Sequence, residues 1–355
     1  FPYTTLFRSN SPNAFLYGIW PDGTAHPDSS SGFIPHWPVS MQGFIPKEIL
    51  PFVGRGEPNS PAAADIDDPK DGKDEVLCAA LGGVLEAFDK DGNVRFSMAS
   101  TSDKYGERSN SVESISLPII SNPSVADLDG DGLLEVQDGA AGSGLIDVAK
   151  QGGLRHDFDH LVSSWVATSG FFQEGFPQKT FDYEFFMNYS IADLTGSGLA
   201  NVLNGDGGYF VYAWDVNGKE PPGWPKWTMQ WDITTPAVGD LDGDQNIDVA
   251  MNTREGWLWA WKTKGNVGGP KSAPVPAIQW ESFHHDDRNT GNYGGPLKPY
   301  ARLNPPDDSC KGGCCCSSTA TDLGARSSPL AGVVAIGFVA VTLGVRRRRR
   351  RGGVQ

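Results

Sequence analysis

An all-β chain folded as a β-propeller is what this sequence predicts, and three observations carry the expectation. A short acidic pattern recurs four times, its first aspartates separated by 62, 66 and 47 residues, about the span of one four-stranded blade. Between the copies the apolar runs are short and punctuated by turn residues, with Gly 44, Pro 26 and Trp 11 in 355 residues. Three later segments, GVLEAFD, YFVYAWD and GWLWAWK, also align, with Phe88, Trp214 and Trp261 in register beside Ala87, Ala213 and Ala260. Apolar residues on both strand faces are expected where a blade is sandwiched between two neighbours, and helix should be scarce.

The best copy is Ser124 to Val136, SVADLDGDGLLEV. Asp127, Asp129 and Asp131 occupy alternate positions, Gly132 permits a sharp turn, and Glu135 closes the run as a β-branched stretch begins. Hard Ca²⁺ takes about six to eight oxygens, so a short loop must bring several carboxylates together with a backbone carbonyl, here that of Leu133. An EF-hand is excluded, because its last carboxylate stands at about loop position twelve between helices, whereas here it stands at nine between strands.

In the first copy Asp65, Asp67, Asp71 and Glu75 match the same positions if two extra residues are accommodated within DDPKD. The third keeps Asp193 and Gly198 but has Thr195, Ser197 and Asn201 in place of carboxylates. It should bind calcium weakly or not at all, its turn surviving through local hydrogen bonds, and Asp193→Ala should matter less than Asp129→Ala. The fourth restores Asp240, Asp242, Asp244 and Asp248, with the Asn246 carbonyl at the seventh position and Gln245 in place of the glycine. A left-handed backbone at Gln245 costs on the order of 1 kcal/mol, small beside four carboxylates acting on a dication.

The repeated form P-x-V-x-D-L-D-G-D-G-x-x-[DE]-V resembles the calcium-binding FG-GAP/VCBS repeats of integrin α-chain heads and bacterial surface proteins, over roughly residues 55–265. That resemblance implies one propeller blade per repeat, with calcium as structural cement.

Taken in order, residues 1–9 (FPYTTLFRS) read as a translated sequencing adaptor and are set aside, which makes the amino end truncated. Residues 10–58 hold a partial blade, with a P-D-G turn and a strand ending in Trp-Pro, then a Pro-rich connection from Met41 to Asn59. Residues 59–296 hold the four blades, the second followed by a long irregular stretch from Gln151 to Asp182. The segment Gln279 to Gly294, QWESFHHDDRNTGNYG, resembles the ending that follows the last blade of bacterial propellers of this type, and residues 297–309 form a Pro/Asp linker.

Residues 310–355 join a cysteine cluster, a 17-residue apolar run from Pro329 to Val345 and six arginines. At about 1.5 Å per residue the run spans about 26 Å, enough for a thin hydrocarbon core, and the arginines would stay cytoplasmic. The order resembles the MYXO-CTERM sorting signal, which implies processing at Cys314, Cys315 or Cys316, loss of the membrane helix and transfer to the cell surface by dedicated machinery. A plain C-terminal anchor is the alternative. Zinc is disfavoured, because C-x₃-C-C-C cannot easily wrap one tetrahedral ion.

The net charge is −14, but the segment from Cys310 holds eight basic residues against Asp322 alone, a balance of +7 that leaves −21 for the rest. Such a body repels phosphates, so nucleic acid is not an expected partner. Cys78 reads as a small core residue. His156 to His160 (HDFDH) reads as a solvated loop, and His284, His285, Asp286 and Asp287 as part of the closing motif. The stripe Trp257, Trp259, Trp261 could stack sugars but is expected to be buried between blades. No nucleophile elbow, P-loop, HExxH or dinucleotide fingerprint occurs. The expected function is therefore non-enzymatic adhesion or ligand binding outside the cell, toward a surface or matrix protein or polysaccharide. The alternative is a polysaccharide lyase, against which the acidic body argues, since uronate chains need an electropositive groove.

Overall fold

The computed structural model describes residues 6–8, 15–20, 32–41, 59–79, 84–98, 121–140, 160–182, 184 and 186–297. The chain divides into two compact units, Phe1–Pro306 and Asp307–Gln355, and every described residue belongs to the first. The cysteine cluster with Cys314, Cys315 and Cys316, the apolar run and the arginines therefore lie outside the described residues, as do most of the Pro-rich connection and His156 to Asp159.

The described residues are all-β, with no α-helix among them, and form five antiparallel sheets. The first holds β1 (Leu6–Arg8), β2 (Phe15–Ile19) and β3 (Val39–Ser40); β1, inside the stretch set aside above, pairs with β2. The second is a meander of β4 (Ala62–Ala64), β5 (Glu75–Ala79), β6 (Leu85–Phe88) and β7 (Val94–Met98). The third holds β8 (Ser124–Ala126), β9 (Glu135–Ala140) and β10 (His160–Val166), with β11 (Phe171–Phe172) and β12 (Gln178–Thr180) both on β10. The fourth holds β13 (Ser190–Ala192), β14 (Asn201–Gly205), β15 (Phe210–Trp214) and β16 (Lys226–Trp227), the fifth β17 (Ala237–Gly239), β18 (Asn246–Asn252) and β19 (Leu258–Asn266). A last strand, β20 (Ile278–Trp280), returns to pair with β13.

The four acidic repeats produce one register. The residue before the first aspartate sits opposite the residue that closes the loop: Ala64 faces Glu75, Ala126 Glu135, Ala192 Asn201 and Gly239 Asp248. The following valine faces an aromatic or its equivalent on the third strand, pairing Val76 with Phe88, Val136 with Trp165, Val202 with Trp214 and Val249 with Trp261. Phe88, Trp214 and Trp261 thus hold the equivalent positions expected of them. Trp165 is their counterpart in the third sheet, and it corrects the reading of Gln151 to Asp182 as irregular. Strand β10 runs through that stretch, and its two fully buried serines, Ser163 and Ser164, interrupt the apolar signal a buried strand normally shows.

The second strands β5, β9 and β14 are buried along their whole length, as strands covered on both faces must be. Shared cores fix the neighbours. Leu16, Trp37 and Val39 pack with Val76, Cys78 and Phe88 across the first and second sheets. One continuous cluster joins the second, third and fourth, including Leu77, Val136, Trp165 and Trp214, and another joins Leu203 and Ala213 to Val238 and Val249 of the fifth. This blade-beside-blade stacking is propeller-like. Cys78 is fully buried.

The Trp stripe departs from expectation. Trp257 is 63% exposed and Leu258 74%, because β19 is the edge of its sheet and alternates between exposed and half-buried residues. Trp259 and Trp261 lie parallel with centroids 6.2 Å apart, and only Trp261 reaches inward, edge-on to Trp224.

The segment after the fifth sheet touches all four short first strands. Asp193 N–H donates to Ala277 O at 2.8 Å, and β20 pairs with β13 through Ile191 and Trp280. The Gln279 amide clamps the Asp127 peptide at the end of β8, accepting from N–H at 3.0 Å and donating to the carbonyl at 2.7 Å. Val238 N–H of β17 donates to Glu281 O, while Ala63 of β4 donates to Gly291 O and accepts from Tyr293 N–H. The first strands that meet this segment are rich in small residues, Ala63, Ala126, Ala192 and Gly239 among them.

Candidate metal centres

Each acidic loop leaves its first strand and re-enters the sheet at the closing residue, and the hydrogen bonds inside the loops repeat. In the second copy Asp127 Oδ1 accepts from Gly130 N–H at 2.7 Å and Oδ2 from Gly132 N–H at 3.0 Å. In the fourth, Asp240 accepts in the same way from Gly243 and Gln245, at 2.8 and 2.9 Å. Gln245 has φ +70°, the left-handed backbone expected at that position. The closing carboxylate braces the turn from the other side, Glu135 accepting from Leu128 N–H at 2.8 Å and Asp248 from Leu241 N–H at 3.0 Å.

These constraints bring oxygens of Asp127, Asp129 and Glu135 within 4.8 Å of one another, and likewise those of Asp240, Asp242 and Asp248. Asp131 is turned back to the loop, accepting from Leu133 N–H at 2.8 Å. Asp244 is drawn to Lys262, whose ammonium lies 2.7 Å from it and 2.5 Å from Asp242, holding the Asp244 carboxyl down to about 2. Burial, reinforced by the three neighbouring aspartates, pushes Glu135 up to about 9, and burial also raises Asp127 and Asp248.

The donor sets fit a hard divalent cation. They are all oxygen, they converge, and Asp248 Oδ1 is buried with no hydrogen-bond partner. The first loop keeps the frame, with Gly72 N–H on Asp65 at 2.7 Å and Ile66 N–H on Glu75 at 3.1 Å, and its carboxylates meet cations of the chain itself, as Asp242 and Asp244 meet Lys262 in the fourth, but its oxygens do not form a convergent set among the described residues. Asp67 pairs with Arg95 at 2.6 Å and Asp71 with Lys73. Asp65 Oδ1 is buried and unpartnered, and burial lifts Glu75 to about 7.

The third loop holds itself. Asp193, 1% exposed, accepts from the N–H groups of Thr195, Gly196, Ser197 and Gly198, and Asn201 takes the bracing bond from Leu194 at 3.0 Å. The expectation that Asp193→Ala matters less than Asp129→Ala therefore concerns the ion-linked part of stability. Removing that carboxylate takes the acceptor from four backbone donors, of which Gly198 is buried and Thr195 half-buried, a cost independent of any ion.

His285 is buried against Trp280, ring centroids 4.9 Å apart, and burial lowers its pKa. Asp286 accepts from Thr290 N–H and from the Arg288 guanidinium at 2.7 Å. His284 donates its N–H to Asn188. His160, of the HDFDH stretch, opens β10.

One set of acids escaped the sequence reading, because each looked like an ordinary strand or turn residue. Asp138, Glu184, Asp206 and Asp232 are buried, 4% exposed or less. Glu184 accepts from the Tyr189 hydroxyl and the Asn204 amide, Asp138 from the Ser121 hydroxyl at 2.6 Å, and Asp232 from the Thr228 hydroxyl at 2.7 Å. Asp138 Oδ2, Glu184 Oε1 and Asp232 Oδ1 have no partner. Burial raises all four, Asp232 to about 7. A carboxyl raised in the folded state binds more protons there than in the unfolded chain, so its contribution is lost as pH rises from about 4 through about 7 for Asp232. Asp232→Asn is therefore expected to raise the melting temperature at pH 8 and to leave it nearly unchanged at pH 4. Equal shifts at both values in a thermal melt would contradict this.

No family model matches the sequence, and no curated protein matches it. Among solved structures the chain is similar to BamB from Moraxella catarrhalis, at 16% identity over 74% of this chain and 62% of that one, TM-score 0.38. It is similar to the Bacillus licheniformis rhamnogalacturonan lyase PL11, at 13% over 76% and 58%, TM-score 0.38. A third is the quinohemoprotein alcohol dehydrogenase from Comamonas testosteroni, at 14% over 78% and 44%, TM-score 0.39. The chain spans less than two thirds of the length of each.

Proposed function

We propose that this protein is a non-enzymatic, calcium-stabilised β-propeller of FG-GAP/VCBS type, exported and displayed at or shed from the cell surface, where it binds a surface or matrix protein or polysaccharide. The observation that carries the reading is the pair of convergent oxygen sets, Asp127/Asp129/Glu135 and Asp240/Asp242/Asp248, with a buried unpartnered oxygen at Asp248. Asp131 and Asp244 would complete these sets, and Asp65, Asp67, Asp71 and Glu75 would form a weaker one. A bound dication neutralises carboxylates that the fold otherwise buries at a cost. Millimolar calcium outside cells suits sites of this kind, and the cysteine, apolar and arginine segments at the carboxyl end supply a route there. Cys314, Cys315 and Cys316 are the candidate processing residues.

A lyase would need a base in an open, electropositive axial channel. The acidic body argues against such a channel. The test is a panel of intact cells, matrix proteins and polysaccharides, with and without chelator, scored for retention of protein and for cleavage of each polymer. Retention that chelator abolishes, with no cleavage, is expected; calcium-dependent release of unsaturated sugar ends would replace this reading with the lyase.

A further inference from the structure

We propose that a cleft at the end of the sheets opposite the acidic loops is a binding site for a neutral oligosaccharide; the inference rests on reading the protein as a binding module. The acidic loops follow the carboxyl ends of the first strands. The cleft lies at their amino ends, where Met187 precedes β13, Thr235 precedes β17 and β18 leaves at Asn252. Its volume is about 750 Å³, within the range of small-molecule sites.

Its walls are held before any ligand arrives. Arg254 N–H donates to Trp231 O at 2.9 Å, and Asn188 N–H donates to the Thr235 hydroxyl at 2.9 Å while its side-chain oxygen accepts from His284 N–H at 3.0 Å. The Thr234 hydroxyl donates to Asn252 at 3.0 Å. A frame tied across three segments in this way loses little freedom on binding.

The lining holds aromatic rings and planar polar groups, Phe283 resting against His284 with ring centroids 3.7 Å apart. Phe186 and Phe283 are 46% and 43% exposed, and the Arg254 guanidinium lies 4.8 Å over the Trp231 ring. Between them stand Asp287 and Asn289. A pyranose presents the complementary surface, an apolar C–H face for stacking and an edge of vicinal hydroxyls for bidentate donors and acceptors. The surface around the cleft extends the pattern. Of ten large apolar side chains at least 41% exposed among the described residues, eight lie at this end, Phe181, Tyr209, Trp227 and Trp257 among them. Exposed apolar area concentrated on one face marks a contact surface.

Charge selects the class of sugar. Asp286 is committed to Arg288, so Arg254 and Asp287 leave the cleft close to neutral. The acidic body repels uronates and other anionic glycans.

Titration calorimetry on the calcium-loaded full chain, with hexasaccharides of β-1,4-glucose, β-1,3-glucose and β-1,4-N-acetylglucosamine, a galacturonate hexamer and a pool of random peptides, tests the assignment. At least one neutral hexamer should bind, and Arg254→Gln and Phe283→Ala should each weaken it tenfold or more with the melting temperature unchanged. Binding of none of the neutral hexamers, preference for galacturonate or peptide, or unaltered affinity in both folded variants would overturn it. The melting temperature with and without chelator, recorded on the same samples, separates this failure from failure of the calcium reading.

Discussion

Millimolar calcium is expected to raise the melting temperature by about 10–20 °C over the chelated protein. A site filled at about a hundred times its dissociation constant contributes about 2.7 kcal/mol, so the two convergent loops together contribute about 5 kcal/mol. For a body of this size each kcal/mol moves the transition by about 2–4 °C. The variants separate ion from scaffold. Asp129→Ala removes one of three converging oxygens from the second loop and should erase about half of the calcium-induced shift while changing the chelated protein little, since Asp129 is exposed. Asp193→Ala should lower both transitions alike, because its carboxylate serves four backbone donors and no cation. Coincident melts of the parent protein in calcium and in chelator would end the argument.

Trp280→Ala is expected to cost about 3–5 kcal/mol, the range for emptying a large aromatic from a core, and to lower the melting temperature by about 10 °C. Trp280 is fully buried, stands opposite Ile191 in the pairing of β20 with β13, and packs edge-on against His285. Its loss therefore leaves a cavity where several sheets meet. Trp257→Ala is the control, because Trp257 is 63% exposed at a sheet edge, and substitutions there fall within about 0.5 kcal/mol. Similar melting temperatures for the two variants would show that the segment around β20 is a passive tail.

The repeating frame was legible because its chemistry is local. Carboxylates at alternate positions and a turn residue with left-handed backbone fall within one short loop in the second and fourth repeats, a valine follows each closing carboxylate, and the same hydrogen bonds recur in loops whose sequences differ. What escaped depends on distance or on balance. Trp165 was hidden by the serines beside it, which are buried between strands despite being polar. Lys262 lies eighteen residues from Asp244, and only the β18–β19 pairing brings its ammonium onto the loop. The exposure of Trp257 and Leu258 follows from β19 being an edge, which an apolar strand does not announce. Asp138 lies in β9 and Glu184, Asp206 and Asp232 in three separate connections, so no window of sequence shows them as a group.

The segment from Ala277 to Tyr293 also orders events in time. Its ties reach back 152 residues from Gln279 to Asp127 and 218 from Asn292 to Asp74. The hairpins β6–β7, β14–β15 and β18–β19 are joined by short turns and can pair as they leave the ribosome. These contacts of the first strands cannot form until the later segment is made, and each closes a long loop at a cost in chain entropy. Until then the first strands of the second to fifth sheets lack the hydrogen bonds this segment gives them. Pairing of β20 with β13 is thus the contact of longest reach within the fourth sheet.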